Sequence, residues 1–99
     1  MPRFLIEVEH APTTAECNRT ISVFLRTGSH FLTHADWGCK DGVHKAWFIA
    51  EVDTKPEALA IVPAEYRGAA QIVLLTRFTP EDLDRIPERH GGNRATGSA

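Results

Sequence analysis

The sequence predicts an α+β domain with the element order β-α-β-β-α-β and a short terminal helix. This is the split βαβ, or ferredoxin-like, plan: a four-stranded antiparallel sheet with two helices on one face. Three observations predict it. Four segments, at 3–9, 30–39, 43–52 and 71–78, are rich in β-branched and aromatic residues or alternate in polarity. Two helix-like segments begin with capping-box spacing, Thr13/Glu16 and Thr54/Glu57. Lys40-Asp41-Gly42 lies between the middle two strands, and Asp-Gly is a hairpin signal.

Each element has its own local reason. RFLIEVE at 3–9 alternates in its second half, and Ala11-Pro12 breaks it. Cys17, Ile21, Phe24 and Leu25 then recur at helical spacing, and Gly28 is a natural stop. The second helix starts at Thr54 with Pro56 in its first turn, and Pro63 ends it. A loop over 64–70 leads into QIVLLTRF at 71–78. Thr79-Pro80-Glu81-Asp82 opens the last short helix, which ends near Ile86-Pro87. The sequence therefore predicts one domain over 1–87. The small, polar, Gly-rich segment 88–99 is predicted to be a disordered tail.

Bulk properties exclude several function classes. The 99 residues are 42% hydrophobic and 24% charged, the composition of an ordinary globular chain. A net charge of −2 gives no basic footprint for nucleic acid. No apolar run approaches the roughly 18 residues of a membrane span, and the N-terminus is too short and too acidic for a signal peptide, so a cytoplasmic location is expected. Two cysteines, Cys17 and Cys39, make no disulfide framework and are read as reduced thiols.

Residues 29–44, SHFLTHADWGCKDGVH, concentrate three of the five histidines with two aspartates, a cysteine and a tryptophan. A two-residue hairpin at Asp41-Gly42 would pair Cys39 with His44, Asp36 with Trp47 and His34 with Ile49. One face then carries His30, Leu32, His34, Asp36, Lys45, Trp47, Ile49 and Glu51. The opposite face, with Ala46, Phe48 and Ala50, suits packing under helices, as do Phe4, Ile6 and Val8 of the first strand. Glu7 would share the polar face.

The sequence also resembles a family. Length, element order, MPRFLIEV at the start and HKAWFIAEVD running into a short helix resemble the dimeric α+β barrel superfamily over residues 2–86. Within it, they look most similar to a group containing small bacterial nickel-binding proteins. The resemblance implies a homodimer with two sheets packed face to face. Members include cofactor-independent monooxygenases and isomerases, so the resemblance implies fold more than activity.

The polar face supports three readings. The first is a metal site built from His30, His34, Asp36, Glu7 and Glu51. Imidazole with carboxylate suits nickel, zinc, copper or iron, although no known ligand-spacing motif is present, and no organic cofactor is indicated. The second is a metal-free oxygenase or isomerase, with His34 as base, Asp36 fixing its tautomer and Trp47 as a substrate wall. The third is a non-catalytic dimer that binds a small molecule or a partner. Cys39 and His44 as cross-strand neighbours have the chemistry of a soft-metal or Cys/His nucleophile pair but lack a third partner. Cys39 is therefore read as a small buried or turn residue, and Cys17 and Trp37 as packing. His10 at a strand end and His90 in the tail are read as non-catalytic, and Tyr66-Arg67-Gly68 as a solvated loop.

Overall fold

In the computed structural model, which describes residues 1–85, the chain is α+β with one four-stranded antiparallel sheet. The expected tail, His90 within it and the expected helix end at 86–87 lie outside the described residues. The elements are β1 (Arg3–Glu9), α1 (Thr14–Arg26), α2 (His30–Thr33), β2 (Asp36–Trp37), β3 (Lys45–Glu51), α3 (Lys55–Ile61) and β4 (Ala70–Leu75). Short 3-10 turns lie at Cys39–Asp41, Ala64–Ala69 and Pro80–Arg85. The strand order is β2-β3-β1-β4.

Side-chain alternation divides the sheet as expected. Phe4, Ile6 and Val8 of β1 and Ala46, Phe48 and Ala50 of β3 are buried. They pack with Phe24 of α1, Leu32 of α2 and Ala58 of α3, together with Val62 and Tyr66. Phe24 is the hub: its ring meets Trp37, Tyr66 and Phe48 edge-on, with centroids 5.0, 6.1 and 6.3 Å away. On the opposite sheet face, Leu5 stands between Ile49 and Val73 in register. Ile49 and Val73 are 48% and 51% exposed, so this row is an uncovered apolar strip.

Capping explains the helix starts. Thr13 accepts the Glu16 amide at the start of α1. Thr54 and Glu57 form a full reciprocal capping box on α3, with Pro56 in its first turn. The α1 stripe is corrected in one respect. Leu25 is 53% exposed, and the buried position is Thr20. A threonine is tolerated there because its hydroxyl donates to the Glu16 carbonyl at 2.8 Å and accepts from the Tyr66 hydroxyl, 3.2 Å away. The last strand is also shorter than expected, ending at Leu75 and leaving Phe78 exposed.

The main correction concerns residues 30–39, which are not one strand. The Ser29 hydroxyl accepts the Leu32 amide and starts a single helical turn that buries Leu32. The i, i+2, i+4 alternation of His30, Leu32 and His34 therefore does not exist. The two-residue hairpin is also replaced. The Gly38 amide donates to the Lys45 carbonyl, and residues 39–44 loop out beyond it. Asp41-Gly42 still turns the chain, with Gly42 in the left-handed region at φ 80°. The predicted pairing of Asp36 with Trp47 is present, because the loop opened without slipping the register. Cys39 and His44 are thereby released from strand pairing into the loop.

Candidate metal centre

Four elements end at the same corner of the sheet. His10 follows β1, and Cys17 lies in α1, on the side that also carries Thr20 and Phe24. Cys39 opens the 3-10 turn after β2, and His44 precedes β3. The ligand-capable atoms of these four side chains all lie within 4.8 Å of one another. Among the described residues, this is the group of three or more His, Cys, Asp or Glu side chains that converges in this way.

Backbone bonds hold the corner. The His10 amide donates to the His44 carbonyl at 3.0 Å, tying the exit of β1 to the loop before β3. Inside the loop, the Asp41 and Val43 amides both donate to the Gly38 carbonyl at 2.9 Å. Gly38 itself is required by close approach. A Cβ there would lie 2.8 Å from the Val43 carbonyl oxygen and 3.0 Å from the Trp47 ring.

The side chains face one another in two Cys–His pairs. The Cys39 sulfur lies 3.2 Å from His10 Nε2, and the Cys17 sulfur lies 3.5 Å from His44 Nδ1. His10 is buried, and its Nδ1 lies 3.0 Å from the Ala11 carbonyl oxygen. A carbonyl can only accept, so Nδ1 carries the proton and Nε2 presents its lone pair to the cluster. This is the outer support that ligating imidazoles usually have. The His10 ring also lies against Trp37, which connects the cluster to the Phe24 core. Burial, and then the neighbouring Cys17 thiol, push the Cys39 thiol above its ordinary pKa.

These distances suit a small tetrahedral ion. Metal–sulfur bonds of about 2.3 Å and metal–nitrogen bonds of about 2.0–2.1 Å set neighbouring ligand atoms roughly 3.3–3.8 Å apart. Both Cys–His pairs are already near that separation. Closing the remaining gaps needs movements of the order of 1 Å.

No protein-family model, curated protein or solved structure matches the chain.

The residues expected from the polar strand face are placed elsewhere. His30 opens α2 and His34 caps its end, both exposed, with ring centroids 4.5 Å apart. The His34 ring donates from Nδ1 to the His30 carbonyl at 2.8 Å. His30, His34 and Glu51 line a hollow of about 260 Å³. His34, Asp36 and Trp47 line a neighbouring one of about 290 Å³, with Leu5 and Ile49. Glu7 is engaged at Lys45 Nζ, 3.1 Å away, and Trp47 Nε1 donates to it at 3.1 Å. The Lys45 contact first, and then the Trp47 bond, hold the Glu7 carboxyl below its ordinary pKa.

His10, expected to be a non-catalytic strand end, and Cys17, expected to be packing, both belong to this cluster, and Cys39 and His44 join it from a loop rather than as cross-strand neighbours. One signal for Cys17 was present. It lies three and seven residues before Thr20 and Phe24, so it shares their inward face in the first turn of α1. His10 offered none beyond its position at the strand end.

Proposed function

We propose that this protein binds one transition-metal ion through His10, Cys17, Cys39 and His44. The observation that carries this reading is the convergence of two thiols and two imidazoles from four separate elements within 4.8 Å. Two sulfurs and two nitrogens in a closed, four-ligand set favour zinc. Nickel, the ion of the resembled group, is the next candidate. The ligand set has no open position for substrate, so the ion's role is to hold the corner together, or to be stored and handed on, rather than to catalyse.

The test is metal content of the untagged chain, purified without added metal. About one ion per chain is expected, absent from Cys17→Ser and His44→Ala and retained in His34→Ala. A chain that stays metal-free when offered zinc and nickel overturns the reading.

The strand order and the one-sided helix layer favour the ferredoxin-like plan. The uncovered strip of Leu5, Ile49 and Val73 favours a homodimer closed sheet to sheet. Solution mass checks this directly: twice the chain mass is expected, and Val73→Glu should return it to the monomer. In such a dimer the hollow of His34, Asp36 and Trp47 faces the partner. This keeps a small-molecule site there as a second reading, with His34 and Asp36 as its acid/base pair.

A further inference from the structure

Cys17 and Cys39 are the chain's two cysteines, and both sulfurs belong to the same 4.8 Å cluster. Both residues are half-buried, so a small oxidant can reach them. Each sulfur lies against an imidazole nitrogen, Cys39 at His10 and Cys17 at His44. The two backbones differ in freedom. Cys17 is fixed in a 13-residue helix, whereas Cys39 starts a three-residue 3-10 turn whose other residues, Lys40 and Asp41, are exposed, as is Gly42 after it. The turn can supply the short movement that brings the sulfurs into bonding distance.

We propose that this pair is a two-electron redox switch on the metal centre: a hydroperoxide converts the two thiolates to a Cys17–Cys39 disulfide, and the ion is released. The proposal rests on the metal-binding reading above. In the first step one thiolate sulfur attacks the peroxide O–O bond. It becomes a sulfenic acid, and the leaving oxygen takes a proton and departs as an alcohol, or as water when the oxidant is hydrogen peroxide. In the second step the other thiolate attacks that sulfur and expels hydroxide, which takes a proton and leaves as water. The net change is two thiolates, one hydroperoxide and two protons to one disulfide, one alcohol and one water. The disulfide carries no charge for a cation. His10 and His44 remain as two neutral ligands, half of a tetrahedral set. A dithiol reductant reverses the step and restores the site.

The experiment uses the full chain in zinc-loaded and zinc-free forms, each treated with hydrogen peroxide. Zinc release is read with a chromogenic chelator, and oxidation by intact mass and peptide mapping. The expected result is a loss of about 2 Da per chain, mapped to a Cys17–Cys39 bridge, with release of the bound zinc and recovery of both thiols in dithiothreitol. The switch is overturned if the loaded chain keeps its zinc and thiols in excess peroxide. It is also overturned if each cysteine gains about 32 Da separately as sulfinic acid, or if the bridges join two chains. A chain that bridges but never takes up zinc overturns the metal reading and leaves only the thiol chemistry. Cys17→Ser, with its fold checked by circular dichroism, should form no internal bridge and carry its oxidation on Cys39 alone.

Discussion

Two regions of the molecule draw on the same stretch, 29–44, and differ in almost every physical respect. Its first half supplies His30, His34 and Asp36, close in sequence, exposed, and set around a helical turn beside an open hollow. Its second half supplies Cys39 and His44, which meet His10 and Cys17 from two distant elements at a half-buried corner. Density of ligand-capable residues in the sequence did not produce convergence. Convergence came where four elements end together. There, a backbone hydrogen bond ties the exit of β1 to the loop before β3.

The largest effect that separates the two regions should be seen in metal-linked stability. An ion that binds only the folded chain adds about 2.7 kcal/mol at a concentration of 100 times its Kd. For a domain of this size that is a rise in melting temperature of roughly 10–20 °C. Saturating zinc should give such a rise in the native chain and in a His34→Ala, Asp36→Ala double variant. It should give none in Cys39→Ser. Differential scanning fluorimetry with and without a chelator reads the shift. Equal shifts in the Cys39 and His34 variants would erase the distinction between the regions.

A substitution at Gly38 probes the joint between them. It follows β2, and the loop that carries Cys39 and His44 opens from it. Gly38→Ala must push its new Cβ off the Val43 carbonyl and the Trp47 ring, at a cost of about 1–3 kcal/mol. Because the displaced carbonyl belongs to the residue before His44, zinc affinity should fall as well. Chemical denaturation and a zinc titration on the same variant read both. Thr54→Ala provides the contrast. It removes the α3 capping box, far from the cluster in the fold, and should cost about 1 kcal/mol with zinc affinity unchanged.

Much of the sheet was legible in the sequence, and the reasons are local. Phe4, Ile6 and Val8 alternate, Ala46, Phe48 and Ala50 alternate, and the Thr54/Glu57 box marks its own helix. The register of Asp36 with Trp47 was legible from the Asp-Gly turn even though the loop proved wider than two residues. Residues 30–33 were misread because Ser29 can cap a turn as readily as it can precede a strand, and burial of Leu32 settles the choice only in the folded chain. The cluster of His10, Cys17, Cys39 and His44 was not legible, because its parts lie far apart in sequence. Only the packing of α1 through Phe24 onto Trp37, and of Trp37 beside His10, brings them to one corner.

The smallest expected effect lies on the outer sheet face, at Glu7, and its sign follows from the lowered carboxyl pKa. The folded chain holds Glu7 ionised against Lys45 and Trp47 to a lower pH than the unfolded chain does. Its contribution is therefore fully present above the ordinary glutamate value of about 4.3. It is lost as pH falls through the lower folded-state value. At pH 7, Glu7→Gln should cost about 1 kcal/mol or less, since both partners are partly exposed and the amide can still accept from Trp47. Once the pH lies well below that folded-state value, the native and variant chains should approach equal stability. Urea denaturation at the two pH values reads the difference. A gap that stays constant would show that Glu7 acts through packing rather than charge. Zinc affinity at neutral pH should be the same in both chains, because Glu7 lies on the sheet face opposite the core while His10, Cys17, Cys39 and His44 converge at its corner.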